Sequence, residues 1–206
     1  APQTEVDVVP NGIDCEYYSP SRQQHTGPAQ ILFTGTSAPR NVTALRQFTQ
    51  HVWPIVRRKA PEAKLLIAGN FTIKAQSEFE RCSGIRFTGQ VADIRPYYDQ
   101  SDVFIAPFEE THGSKLKVAQ ASAMGMPIVS TPEGIRGFPL VHEESVLVAR
   151  DSEDFARQIL DLTRDPAKCK RLGTAAREVA TAALDWKVLG EYLRAIVEKT
   201  GSHLSP

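Results

Sequence analysis

The stretch of this chain with the most chemical content is PFEETHGSKLKVAQASAMGMPIVST, Pro107 to Thr131. A polar loop holding one glycine runs into an alanine-rich segment, and Gly-Met-Pro then opens a β-branched run. Glycine followed by two lysines at the mouth of a helix is the composition an anion site requires. The first turn of a helix leaves its amides unpaired, and the dipole favours a negative charge there by ~0.3–1 kcal/mol. Positions 113, 117 and 120 share one helical face. If Gly113 opens a helix running to Met124, the Gly113 and Ser114 amides meet an anion and Lys117 adds a point charge. Gln120, one turn deeper, would reach hydroxyls of a ligand extending from that anion. Two lysines at a helix start are by themselves ordinary surface cations. The glycine and the preceding strand end favour a role for Lys117 over one for Lys115.

The elements that must position these residues alternate regularly. ILFTG (Ile31 to Gly35), KLLIAG (Lys64 to Gly69), IRFTG (Ile85 to Gly89), DVFIAP (Asp102 to Pro107), PIVST (Pro127 to Thr131) and SVLVA (Ser145 to Ala149) are short, continuous and apolar. Most are separated by helical segments. Such a pattern predicts an α/β domain: a doubly wound, Rossmann-like parallel sheet with helices on both faces. Asn41 is the expected N-cap of a long helix with Val42, Leu45, Phe48, Val52 and Val56 on its apolar face, kinked at Pro54. Asp93, Asp151, Asp165 and Asp185 are expected to cap later helices. Before the first strand, Pro10, Asn11, Gly12, Pro20, Gly27 and Pro28 mark turn-rich chain. The expected organisation is a linker over 1–29, the α/β domain over 30–183, and a C-terminal helix and tail over 184–206.

In doubly wound folds, ligands bind beyond the carboxyl ends of the strands. Four segments lie there: 35–41, 89–93, 107–117 and 131–134. None carries a GxGxxG or P-loop signature, which argues against a dinucleotide enzyme or a P-loop ATPase. The chain has 206 residues, 41% of them hydrophobic, enough for one well-packed domain. Its 24 basic and 24 acidic residues balance, which argues against general nucleic-acid binding. Three distant cysteines, Cys15, Cys82 and Cys169, fit neither a disulfide framework nor a zinc motif. No apolar run has membrane-spanning length, and a soluble, cytoplasmic domain is expected.

The order and spacing of these segments resemble the C-terminal, donor-binding half of the GT-B glycosyltransferases, in the large retaining family of glycosyl transferases group 1. VVPNGID is similar to that family's interdomain signature. ILFTGTSAPRNVTALRQFTQHVWPIVRRKAPEAKLLIAG resembles its opening strand–helix–strand. IRFTGQVADIRPYYDQSDVFIAPFEE and GSKLKVAQASAMGMPIVST resemble its two most specific blocks, and the likeness runs over residues 6 to 200.

The resemblance implies transfer of a sugar from a nucleoside-diphosphate sugar to a hydroxyl acceptor, in glycan, lipid-linked glycan or polysaccharide synthesis. It implies retention of configuration, with no metal or other cofactor. Lys117, Lys115 and the Gly113 and Ser114 amides would stabilise the departing diphosphate. Gly35, Thr36 and Ser37 would leave room for it or approach the acceptor side, and Arg40 would help neutralise its charge. Gly89 and Val91 would line the base through backbone groups. The family's two diagnostic glutamates fall at His112 and Gln120. His112 is either a substitute sugar contact or a solvated loop histidine, and Glu109 and Glu110 stand close enough to supply a carboxylate. Gln120 keeps the length and one acceptor, so a loss on the order of 1–2 kcal/mol is expected at the ribose.

The implied partners are the nucleotide sugar and an N-terminal acceptor-binding domain of the same polypeptide. Nucleic acid is excluded, and peripheral membrane association of the longer enzyme is left open. The isolated chain, read as a fragment, would bind nucleotide weakly and turn over no acceptor. Two alternatives stand: a degenerate, non-catalytic binding or interaction module, favoured by the two changed acids, and a GT-B nucleotide-sugar epimerase.

Overall fold

The computed structural model describes residues 6–21, 27–109 and 115–202. Six strands form one parallel sheet in the order β3-β2-β1-β4-β5-β6. They are β1 Gln30–Thr34, β2 Lys64–Ala68, β3 Ile85–Phe87, β4 Val103–Ala106, β5 Ile128–Ser130 and β6 Leu147–Val148. Each coincides with one of the apolar runs. Ile31, Leu32 and Phe33 of β1 and all of β4 are buried, as a sheet covered on both faces demands. The chain builds outward from β1 to β3, then returns to the other side of β1. There Ile31 pairs with Val103 and Leu32 with Phe104. Right-handed crossovers taken in opposite directions put the connecting helices on opposite faces.

After β1, helix α1 (Pro39–Gln47) leads through a π-helical turn (Phe48–Val52) into α2 (Trp53–Lys59). The N-cap expected at Asn41 is corrected by three residues. Pro39 takes the first helical position, where its missing N–H costs nothing, and Ala38 is the N-cap. Asn41 is buried inside the first turn. The disturbance expected at Pro54 takes the form of the π turn just before it, where the Trp53 N–H reaches back to the Phe48 carbonyl. Phe48 packs edge-on against Phe155 of α7 (Ser152–Arg164), with ring centroids 5.7 Å apart.

The remaining helices are α3 (Ile73–Ser77), α4 (Arg95–Asp99), α5 (Leu116–Ala123), α6 (Pro132–Ile135), α8 (Pro166–Ala183) and α9 (Trp186–Ser202). Of the four aspartates read as caps, Asp151 accepts from the Asp154 amide, Asp165 from the Lys168 amide and Asp185 from the Lys187 amide, whereas the N-cap of α4 is Ile94 and not Asp93. Among the described residues, no helix is long and apolar enough to cross a membrane.

The segment before β1 is tied down. The Ile13 amide donates to the Leu184 carbonyl at 2.8 Å, and the Trp186 amide donates to the Ile13 carbonyl at 3.1 Å. The Asp185 carboxylate accepts from the Lys187 amide, starting α9, and from the Cys15 amide at 3.2 Å. Arg177 of α8 donates to the carbonyls of Cys15, Tyr18 and Ala123. Together these bonds hold Tyr18 against α5.

Asp185 therefore serves both as a helix cap and as a clamp on a remote segment. Replacing it with alanine should lower stability by about 1–3 kcal/mol, seen as a reduced urea midpoint. Hydrogen exchange should accelerate at the Ile13 and Cys15 amides while the sheet amides stay protected. Unchanged exchange there would show that the clamp contributes nothing.

Candidate donor site at the strand-order reversal

The strand order reverses between β1 and β4, and in folds of this kind ligands bind beyond the carboxyl ends of the strands at that reversal. Three glycines end β1, β2 and β3 on one side of it. The Gly69 amide donates to Thr88 Oγ1, whose hydroxyl donates to the Gly89 carbonyl. Gly69 has φ 124°, and a Cβ there would stand 2.0 Å from the Gly35 carbonyl oxygen. No residue with a side chain fits that position. Gly89 has φ 72°, and no described atom lies within 4 Å of where its Cβ would stand. The result is a bare backbone lip of the kind that lets a ligand approach closely. Ser37, on the loop after β1, accepts from the Thr72 amide at 2.6 Å, and its own amide donates to the Asn70 carbonyl. It joins the first loop to the second, while Thr36 is exposed beside it and Val91 is half-buried beyond Gly89.

Lys117, in the first turn of α5, turns inward. Its Nζ lies 4.6 Å from the centroid of the Phe33 ring and 4.9 Å from that of Phe108. It donates to Asn41 Oδ1 at 2.7 Å, its one hydrogen bond among the described residues. A Cβ on Gly35 would fall 2.9 Å from Asn41 Nδ2 and 3.1 Å from Lys117 Nζ, so glycine there makes room for both. Burial pushes the Lys117 amine down to about 7, and the nearby Arg40 guanidinium acts in the same direction. A charge pushed this hard toward neutrality is a marker of function.

Lys115 is buried too, with 7% exposure. It is the N-cap residue of α5, which opens at Leu116 and not at Gly113 as expected. Burial lowers its pKa; Glu133 opposes that shift, and Arg136 and Arg40 reinforce it. Arg40 is exposed at the start of α1 and within electrostatic reach of both lysines. The structure thus brings Gly35, Arg40, Lys115 and Lys117 to one place. His112, Gly113 and Ser114, with Glu110, lie outside the described residues; Glu109 is exposed at the end of β4.

Gln120 sits one turn below Lys117, as its spacing predicts, and is engaged within the protein. Its Nε2 donates to Tyr18 Oη at 2.8 Å, and its Oε1 accepts from Tyr98 Oη at 3.3 Å. Tyr98 is fully buried against Phe104 and shares a further hydrogen bond with Thr34 Oγ1. On the same side, Arg95 forks onto Asp93 and stacks 3.9 Å from the Tyr17 ring centroid. Sequence reasoning missed Asn41, Gly69, Tyr18 and Tyr98. Only Gly69 carried a readable signal, a glycine ending a strand beside two others that do the same.

The fold and this site define a Rossmann-like domain with a cationic crevice at its topological switch point. Residues 28–165 match the family model for glycosyl transferases group 1, and the chain belongs to that family. Its sheet is that of the C-terminal domain of a GT-B glycosyltransferase. The chain is 26% identical over 201 residues to glycogen synthase of Mycobacterium tuberculosis, covering 90% of this chain and 46% of that protein. Sucrose-phosphate synthase of Thermosynechococcus elongatus superposes with TM-score 0.77 at 19% identity, over 95% of this chain and 52% of that one. HepE of Anabaena, in complex with UDP and glucose, superposes with TM-score 0.73 at 14% identity, over 93% of this chain and 56% of that one. The chain thus spans about half the length of these relatives.

The depressed Lys117 pKa has a sign that can be tested. Below pH of about 7 the amine is protonated in folded and unfolded chains alike, and contributes no slope. Between about pH 7 and 8.5 the unfolded chain keeps a proton that the folded chain sheds, so stability rises with pH, by at most about 1.4 kcal/mol per unit. Above that range Cys15 and Cys169, both pushed up to about 11 by burial, act in the opposite direction. Urea unfolding across this range should show the rise in the native chain and a flatter profile in Lys117→Met.

Proposed function

We propose that this chain is the donor-binding half of a glycosyltransferase that moves a sugar from a nucleoside diphosphate to a hydroxyl acceptor, with retention and without a metal. The observation that carries this reading is the Lys117 amine, buried at the switch point and hydrogen-bonded only to a neutral carboxamide among the described residues. No described residue supplies the anion that a buried ammonium calls for, and a diphosphate would.

The chemistry follows from where charge develops. As the glycosidic bond to the nucleotide breaks, negative charge accumulates on the diphosphate, and stabilising it is the main catalytic task. Lys117 meets that charge from the side, with Arg40 and Lys115 extending the positive field. Amides at Gly113 and Ser114 are assigned to the same oxygens, and His112 to the sugar. The glycine lip at Gly35 and Gly89 admits the diphosphate and the base, with Val91 at the base edge. At the ribose, Gln120 spends one of its two amide hydrogens on Tyr18 Oη, which leaves the Tyr18 hydroxyl hydrogen for a ligand oxygen. The HepE complex with UDP and glucose supports a nucleotide-sugar ligand in this fold. The acceptor is assigned to an N-terminal domain of the same polypeptide, and the pathway to polysaccharide or glycan synthesis.

Calorimetric titration with UDP, GDP and ADP tests the reading. One nucleotide should bind, and Lys117→Ala should weaken it roughly 10- to 100-fold, as expected for a hydrogen bond to a charged group. No binding of any of the three, by this chain or by a longer protein containing it, would overturn the donor assignment. Gln120→Glu should tighten binding of that nucleotide by up to about tenfold, because a carboxylate accepts both ribose hydroxyls. Unchanged affinity would place the ribose away from residue 120.

A further inference from the structure

Asn41, the last residue of the 35–41 segment, is expected from the sequence only as a helix cap, yet it stands between the first loop and the Lys117 amine. It is 4% exposed. A buried carboxamide is costly unless both its ends are paired, and here they are. Nδ2 donates to the Thr36 carbonyl at 2.9 Å, and Oδ1 accepts from Lys117 Nζ at 2.7 Å. The amide can face only one way. The Thr36 carbonyl is purely an acceptor, so the nitrogen must meet it, and the oxygen is then left for the lysine.

We propose that Asn41 is a positioning residue for the diphosphate, locking the Lys117 amine to the backbone of the first loop without neutralising its charge. The proposal rests on the donor-site reading above. Asparagine is suited to this place because it offers one donor and one acceptor and carries no charge. Aspartate would pair with the lysine as an ion and set two acceptors, its own oxygen and the Thr36 carbonyl, against each other. Leucine would leave the carbonyl and the amine without their partner.

The groups around the amine agree with this role. From β1 and the segment after β4 come the Phe33 and Phe108 rings, which favour a cation without cancelling it. From α1 comes the Arg40 guanidinium, a like charge. On its own element stands Lys115, and the carboxylate of Glu133 acts on Lys115 and is itself paired with Arg136. No described carboxylate pairs with Lys117. Its amine, pushed down to about 7, therefore regains a proton when a diphosphate arrives above that pH. Asn41 accepts a hydrogen bond from the amine in either protonation state, so the position survives the change.

The test reads the amine directly. Lysine 13Cε resonances are followed against pH, with that of Lys117 assigned by its loss in Lys117→Met, and the Asn41 side-chain amide is followed in parallel. In the native chain both should titrate with one midpoint. In Asn41→Asp the Lys117 midpoint should rise by about 1–3 pH units, as beside a new opposite charge. UDP and inorganic pyrophosphate should bind that variant roughly 10- to 100-fold more weakly, and the loss of affinity above pH of about 7 should vanish. A merely structural asparagine would weaken binding without moving the lysine midpoint. An Asn41 amide that ignores the Lys117 titration, in a native chain that binds UDP, overturns this proposal alone and needs no variant to fold. Absence of UDP and pyrophosphate binding in the native chain overturns the donor reading, and this proposal with it.

Discussion

A parallel sheet whose strand order reverses cannot close over the point of reversal. Loops leaving neighbouring strands there depart toward opposite faces, and the carboxyl ends between them stay uncovered. In this chain the reversal falls between β1 and β4. Everything polar that matters for a ligand is brought to that line: the first loop with Gly35 and Asn41 from one side, and α5 with Lys115, Lys117 and Gln120 from the other. A hydrogen bond of 2.7 Å from Lys117 Nζ to Asn41 Oδ1 links the two sides.

Placing an amine there is expensive. Desolvation weakens its charge, and the Arg40 guanidinium compounds the effect. Two aromatic faces and one carboxamide oxygen offset part of the penalty; no described carboxylate removes it. A structural lysine would be expected to have a paired acid, as Arg46 has Glu78 on the surface of this same domain. Among the described residues Lys117 has no such acid, which sets it apart from an ordinary buried ion pair.

The chain before β1 contributes to the site from a distance. Its bonds to Asp185, Leu184 and Arg177 hold a turn that delivers Tyr18 to Gln120. From there a chain of hydrogen bonds runs through Tyr98 to Thr34, the last residue of β1. The position expected to face a ribose is therefore rigidly supported from both ends, by residues about 100 and 20 positions away. Polar networks of this kind hold geometry well because every member is paired in a region of low dielectric.

The strands, their parallel pairing and the helix caps at Asp151 and Asp165 were legible in the sequence, because buried parallel strands read as continuous apolar runs and capping aspartates act on neighbours three residues away. The place where the cationic side chains gather was legible for a similar reason. Glycine and lysine at a strand-to-helix junction are a local pattern. What the residues do there was decided by tertiary structure. Asn41 has the composition and position of a cap, and only the approach of α5, 76 residues later, makes it the partner of a lysine. Lys115 and Lys117 look alike in sequence, and their burial depends on strands and helices that meet only in the folded chain. Gln120 shows its face through helical periodicity, but its tyrosine partners come from other elements. Local chemistry determined where the lysines would stand along the chain; long-range packing alone determined which charge is buried and what holds it.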